Sequence, residues 1–453
     1  MKLTQLLSIL FIIALSNAPI YAGTVSWNTS GDGNWSAPSN WSPLETPVQT
    51  DTVVINNAGS GKITLDTDAG IMKLTVGGSH QLVLSQYSLT VSSAEPLKVF
   101  VTSETGHGKL YDWTSSGGHS KLQAGDAICQ AAADSAGLSG TYKVWLSTDV
   151  NDAYCWIQGY TGQKADNCGQ SSLPVAAGPW VRTDGNPFAA TIDKLVNNGP
   201  VYTPARYDEN GSVVVSGVYW TGTYTTGNEV TGANCDNWTG TSSSSYASMG
   251  GVDGTNYFWS GMGGYPCSGS YPLLCFQTGA GPALANLSLP YGAKKVFLTS
   301  TTQNGNLGGI AGADAICVAR ATAAAIPNAA HFKAWISDDS TDAIDHVTVN
   351  SAGPWYRLDG VRIAYNKAEL LTVPLFTAIA VTENGDYRGS FSVWTGTQTT
   401  GTKSTFNCVN WTHSGSSDGD GLVGTAGYSS YVWTAWGPMA CDQNGALYCF
   451  EDD

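Results

Sequence analysis

The chain has 453 residues, enough for two to four domains with separate cores. Only 12% of its residues are charged, and 20 Lys and Arg against 35 Asp and Glu give a formal net charge of −15. Its six arginines never stand closer than Arg357 and Arg362, so the clustered cations of a nucleic-acid or heparin groove are missing.

Residues 1–22 read as a bacterial signal peptide: Lys2, the apolar run Leu6–Leu15, then Ala22 at a small-residue cleavage position. That run is too short to cross a bilayer, and no later run is long enough for a membrane helix. The expected product is secreted, extracellular or at the cell surface. Ten cysteines, an even number in an oxidising compartment, point to disulfides before metal ligands.

Residues 23–95 alternate short apolar runs (TVVI, KITL, MKLTV, QLVL, SLTV) with turn residues at about ten-residue spacing, which predicts a small all-β module of stacked strands. The order GNW, NW, P, DTVVI resembles the opening of bacterial surface proteins that begin a parallel β-helix. At this length the module is expected to be a cap packed on the next domain, since a solenoid needs about three rungs.

The rest of the chain is written twice. KVFVTS (Lys98–Ser103) returns as KVFLTS (Lys295–Ser300), AGPWVRTDG (Ala177–Gly185) as AGPWYRLDG (Ala352–Gly360), and LLCF (Leu273–Phe276) as LYCF (Leu447–Phe450). The hexapeptides NCDNWT (Asn234–Thr239) and NCVNWT (Asn407–Thr412) recur between these landmarks. This gives two domain-sized copies, residues 96–278 and 293–453, with a linker at 279–292. The offset between copies falls from 190 (Trp145 to Trp335) to 175 (Trp180 to Trp355), so the first copy carries 15 extra residues. Cys155 and Cys168 lie in that insertion and are read as pairing with each other. The four remaining cysteines of each copy allow three connectivities, and spacing does not choose among them. Each copy predicts a strand, then a helix with Asp126 or Asp314 at its start, then many short strands, an α+β pattern.

The run GDAICQAAADSAGLSGTYKVWLS, with YWTGT, NCDNW, PC and LLCF after it, resembles endostatin and the bacterial domains of that type, a branch of the C-type-lectin-like fold. The resemblance spans both copies, about three quarters of the chain. It implies two tandem C-type-lectin-like domains with first-to-last and middle-to-middle cysteine pairing: Cys129–Cys275 and Cys235–Cys267, then Cys317–Cys449 and Cys408–Cys441. It makes the hexapeptide cysteine a staple and Trp238 and Trp411 core residues. Asn-Trp-Thr is also a glycosylation sequon, which means little behind a bacterial leader.

Chemistry finds little support. The histidines, His107 and His119 included, show no metal-ligand spacing. Three carboxylates recur, Asp126/Asp314, Asp184/Asp359 and Glu209/Glu383; a helix start and DG and ENG turns account for them, and acid–base work on glycosides is the alternative. The calcium tripeptides of sugar-binding C-type lectins are absent, and SSDGDG (Ser416–Gly421) is a partial calcium loop in which Asp418 and Asp420 are the first suspects. No cofactor or metal is expected. Aromatic loops precede the third cysteine of each copy: Tyr257, Trp259 and Tyr265, then Tyr431, Trp433 and Trp436. They read as ligand-binding residues or as a second small core. The resulting expectation is a secreted, non-enzymatic binding or adhesion protein of the bacterial surface, recognising an extracellular glycan or protein without calcium. A carbohydrate-active enzyme and a structural envelope or matrix component are the alternatives.

Overall fold

The computed structural model describes residues 24–452 apart from 43, 49–50, 57–58, 72, 77–78, 85, 92–95, 198–200, 215–216, 285–286, 288, 291, 351–352, 373 and 418. The leader expected at 1–22 lies outside them. No helix among the described residues is long and apolar enough to cross a membrane.

In the N-terminal module the alternation of Thr52–Ile55 turns Val53 and Ile55 inward. Parallel pairing joins Thr24–Trp27 to Thr52–Ile55 to Lys73–Val76, Gly33–Asn34 to Lys62–Thr64 to Gln81–Val83, and Ala69–Ile71 to Leu89–Val91. Partners such as Thr52 and Lys73, or Lys62 and Gln81, are 19–21 positions apart, whereas the first turn is longer, with Thr24 and Thr52 28 apart and Gly33 and Ile63 30 apart. Tryptophan closes its base. Trp41 lies edge-on to Trp27 at 4.9 Å and to Trp35 at 4.8 Å, and its indole N–H donates to the Trp35 carbonyl at 2.8 Å. One electrostatic influence on this module comes from the second repeat. Burial holds the Glu45 carboxyl above the usual carboxylate range, and the charge of Arg362 acts in the opposite sense.

Both repeats have the same mixed α+β build. The first carries a five-stranded sheet ordered Tyr142–Val144, Leu274–Gln277, Leu97–Val101, Trp180–Arg182, Pro187–Ala189; the second repeats it as Phe332–Ala334, Tyr448–Glu451, Lys294–Leu298, Trp355–Arg357, Arg362–Ala364. Only the pair of Leu97–Val101 with Trp180–Arg182, and its counterpart, is parallel. Period-two alternation splits each sheet between two cores. In the first repeat Val99, Val101 and Phe276 face one side, while Phe100 and Cys275 face the helix Lys121–Ser135. A three-stranded sheet completes each copy: Val218–Trp220, Tyr246–Gly251, Met262–Pro266, and Ser392–Trp394, Asp420–Thr425, Gly437–Ala440. The helices start earlier than the sequence placed them, since Asp126 and Asp314 fall in the second turns of Lys121–Ser135 and Gly309–Ala323.

Five disulfides hold these layers. Cys129–Cys275 and Cys317–Cys449 tie each helix to the central sheet, Cys235–Cys267 and Cys408–Cys441 pin the long loops, and Cys155–Cys168 closes the insertion on itself.

The repeats meet across a seam with approximate two-fold symmetry, in which positions 174 apart correspond, or 175 apart at Arg182 and Arg357. The Thr255 N–H donates to the Gly427 carbonyl at 3.0 Å, and the Ser429 N–H to the Asp253 carbonyl at 3.3 Å, each bond being the image of the other. Arginines flank this bridge. Arg357 donates to the Tyr202 carbonyl at 3.1 Å, whereas its counterpart Arg182 lies over the ring of Phe376, which occupies the position of Tyr202. Rings and guanidinium groups then alternate from Tyr207 through Arg182, Phe376 and Arg362 to Tyr365, with separations of 4.5, 5.1, 4.2 and 3.6 Å. Arg206 reaches across to the Leu375 carbonyl at 3.0 Å and to Ser429 Oγ, and burial pushes its pKa down to about 10.

Candidate functional site

Each letter of the repeated hexapeptide has a mechanical task. Cys235, Asp236, Asn237 and Trp238 have φ of 50°, 54°, 59° and 64°, one turn of left-handed helix; Cys408, Val409, Asn410 and Trp411 repeat it at 47°, 53°, 55° and 60°. Such a turn costs L-residues roughly 1–2 kcal/mol each, so its surroundings must impose it. The first Asn caps the turn, Asn234 Oδ1 accepting from Asn237 N at 2.9 Å and Asn407 Oδ1 from Asn410 N at 3.1 Å. Its amide then donates to a loop carboxylate, Asp149 at 2.7 Å or Asp339 at 2.8 Å. The second Asn accepts from the backbone N–H of that same aspartate at 2.9 Å in both copies. The indole N–H of Trp238 or Trp411 donates to Ser147 or Ser337 O at 2.7 Å, and the Thr hydroxyl closes onto the Asp236 or Val409 carbonyl. Gly222 and Gly396 of the WTGT strands pass so close that a Cβ would lie 2.8 and 2.7 Å from these indoles.

The hexapeptide is therefore a clamp on the loops that carry Asp149 and Asp339. Sequence reading missed those partners, although Ser147-Thr148-Asp149 and Ser337-Asp338-Asp339 follow the matched KVWL and KAWI strands. The Asn234 and Asn237 amides hold the Asp149 carboxyl below the usual range, whereas burial and the neighbouring Asp149 raise that of Glu229.

The recurring carboxylates are tied into the scaffold. Asp126 accepts from Val144 N at 3.0 Å and from the Trp156 indole at 2.8 Å; Asp314 accepts from Ala334 N at 2.8 Å and meets His346 Nε2 at 3.0 Å. Asp184 and Asp359 bind Arg182 and Arg357 through both oxygens. Glu209 and Glu383 accept from the backbone N–H and hydroxyl of Ser103 and Ser300. His107 turns toward Asp112, 3.7 Å away. Among the described residues no three His, Cys, Asp or Glu side chains are placed to hold a metal ion. Asp420 opens the strand Asp420–Thr425, and Asp418 lies outside the described residues.

The aromatic loops divide. Trp259 and Trp433 are core residues, 5.0 Å from Trp145 and 4.9 Å from Trp335, which corrects the expectation that they face a ligand. The cause is a tight 3-10 turn, Asn256–Trp259 or Tyr431–Trp433, whose last ring folds back under the loop. Phe258 packs on Tyr428 at 4.0 Å, so these loops also build the seam. Tyr265 is half-buried against Tyr271 at 5.7 Å, and the side chain of Tyr257 lies outside the described residues. Two of the six candidates stand free of the core: Tyr431 is 56% exposed and Trp436 is 63% exposed. Trp436 is fixed at its backbone, donating from N to the Val423 carbonyl at 2.8 Å. Across the same strand, the Leu422 N–H donates to the carbonyl of exposed Phe406 at 2.8 Å. Trp436 is particular to the second repeat, since its counterpart is Met262, whose sulfur lies 3.8 Å from the Tyr428 hydroxyl.

Residues 300–431 match the family described as "Protein of unknown function (DUF1554)". The match lies within the second repeat and takes in its helix, its left-handed turn and Tyr431. No curated protein is significantly similar to the chain.

Proposed function

We propose that this is a secreted or cell-surface binding protein without enzymatic activity, in which two endostatin-like, C-type-lectin-like domains present ligand-recognising loops. The observation that carries the reading is the exposure of Trp436 and Tyr431 on a disulfide-pinned loop. Rigid amphipathic rings on such a loop offer large contact area at small entropic cost, the property used in recognition of glycans and proteins. Adhesion at a bacterial surface fits the expected leader and the coiled N-terminal module. Calcium-independent binding fits the missing sugar-binding tripeptides.

Acid–base hydrolysis is the weaker reading, because the recurring carboxylates are held by arginine, serine or backbone donors. The test is capture of the mature protein on glycan and extracellular-matrix arrays, in calcium and in EDTA, beside Trp436→Ala. Capture that survives EDTA and falls at least tenfold in the variant supports the proposal. Capture unaffected by Trp436→Ala and Tyr431→Ala overturns the assignment of the face.

A further inference from the structure

The first repeat contains a cleft of about 110 Å³ that the second lacks the residues to build. Its apolar lining is Val150 with the largely buried Leu122 and Trp156, and its polar lining includes Lys121, Gln123 and Asn151 beside Thr148 and Asn237. Val150 is 67% exposed, an apolar side chain held out on a loop tip. That tip is anchored on both sides, since Thr148 and Asn151 exchange backbone hydrogen bonds and Asn151 Oδ1 accepts from Gly162 N at 2.8 Å. The self-closed Cys155–Cys168 insertion, unique to this repeat, comes directly after it and carries Trp156. At the corresponding positions of the second repeat stand Gly309 for Lys121, Ser340 for Val150 and His346 for Trp156. Duplication has thus left one scaffold with two different surfaces, and the insertion has furnished only one of them.

We infer that this cleft binds the acetamido group of an N-acetylated sugar, a site separate from the Trp436 face. Its volume is well below the roughly 300 Å³ at which pockets enclose whole ligands, so it takes one substituent and leaves the ring outside. The substituent must be amphipathic: Leu122, Val150 and Trp156 suit a methyl group, and the Gln123 and Asn151 amides suit a carbonyl oxygen and an N–H. A neutral group fits better than a carboxylate. Asp149, whose carboxylate the Asn234 and Asn237 amides hold, stands next to Val150 on the same loop, and the chain carries a net charge of −15.

The experiment titrates the ¹⁵N-labelled full chain with methyl N-acetyl-β-glucosaminide and, separately, with methyl β-glucoside. The expected result is a saturable shift of the Trp156 indole N–H signal at millimolar N-acetyl sugar and none with the plain glucoside. Val150→Asp, at an exposed position that leaves the fold intact, should weaken that binding at least fivefold. Trp436→Ala should not change it, so failure here and failure of the aromatic face are told apart. Equal shifts with both sugars, no shift with either, or full binding by Val150→Asp overturns the inference.

Discussion

Gly254 and Tyr428 occupy the same position in the two repeats, and they pair with each other as an isolated antiparallel bridge. A residue can pair with its own image only on a two-fold axis. The duplicated domains therefore associate as a homodimer would, inside one chain.

A seam of this kind predicts one cooperative unfolding event for both repeats. Arg206→Ala leaves the buried Leu375 carbonyl unpaired, at about 1–3 kcal/mol, and removes the cation 3.5 Å from the Asp253 carboxylate, while the Ser429 hydroxyl keeps its bond to the Asp253 carbonyl. Calorimetry should give a single transition for the native chain and a lowered or split one for the variant. A single unshifted transition in Arg206→Ala would show that the seam contributes nothing.

The left-handed turn makes an unusual prediction at Val409, a half-exposed β-branched residue at φ 53°. Val409→Gly removes the steric conflict and little packing, so the second repeat should gain about 1 kcal/mol. Asn407→Ala removes the cap and the Asp339 bond and should lose about 1–2 kcal/mol. Urea midpoints of the two variants should move in opposite directions.

Asp126 supplies a pH test. Burial raises its pKa, with Lys143, the Val144 N–H and the Trp156 indole acting in the opposite sense. A carboxyl whose folded pKa is raised contributes its full share of stability below the unfolded value near 4, and that share is lost as pH rises through the folded pKa. Asp126→Asn cannot ionise, so its melting temperature should gain on that of the native chain as pH rises through the acid range. A difference independent of pH would mean that Asp126 is not burdened by its burial.

Trp433 and Trp436, three residues apart, should separate stability from binding. Trp433→Ala empties a core site and should cost about 3–5 kcal/mol. Trp436→Ala should leave the melting temperature nearly unchanged while ligand capture falls. Thermal melts and binding curves on both variants check this.

Much of the scaffold was readable because duplication made the sequence its own control. Matched strands, the offset change at the insertion and the cysteine order marked the repeats without reference to structure. The Trp259 and Trp433 placements were not readable, since an aromatic on a Gly/Ser loop looks alike whether its 3-10 turn points it in or out. Asp126 and Asp314 were read as helix starts because Asp is a common helix cap and a glycine, Gly125 or Gly312, stands just before each, although the helix runs through both glycines. The seam was hidden for a different reason. Arg182, Arg206, Phe376 and Tyr428 each resemble ordinary surface residues, and only the fold reveals that they meet across two domains.

The disulfide connectivity also decides how the chain would bear load. The longest bridges join positions 146 and 132 residues apart, from the helix of each repeat to its last strand. Tension applied at the two ends of the molecule would cross each repeat through a pair of sulfur atoms and bypass most of its backbone. The extensible lengths are then the chain before Cys129, the N-terminal coil included, and the stretch between Cys275 and Cys317, each residue released adding about 3.5 Å. Trp436 lies inside the second bypass, between Cys317 and Cys449, so a pulled molecule lengthens while its exposed aromatic face stays outside the path of the force.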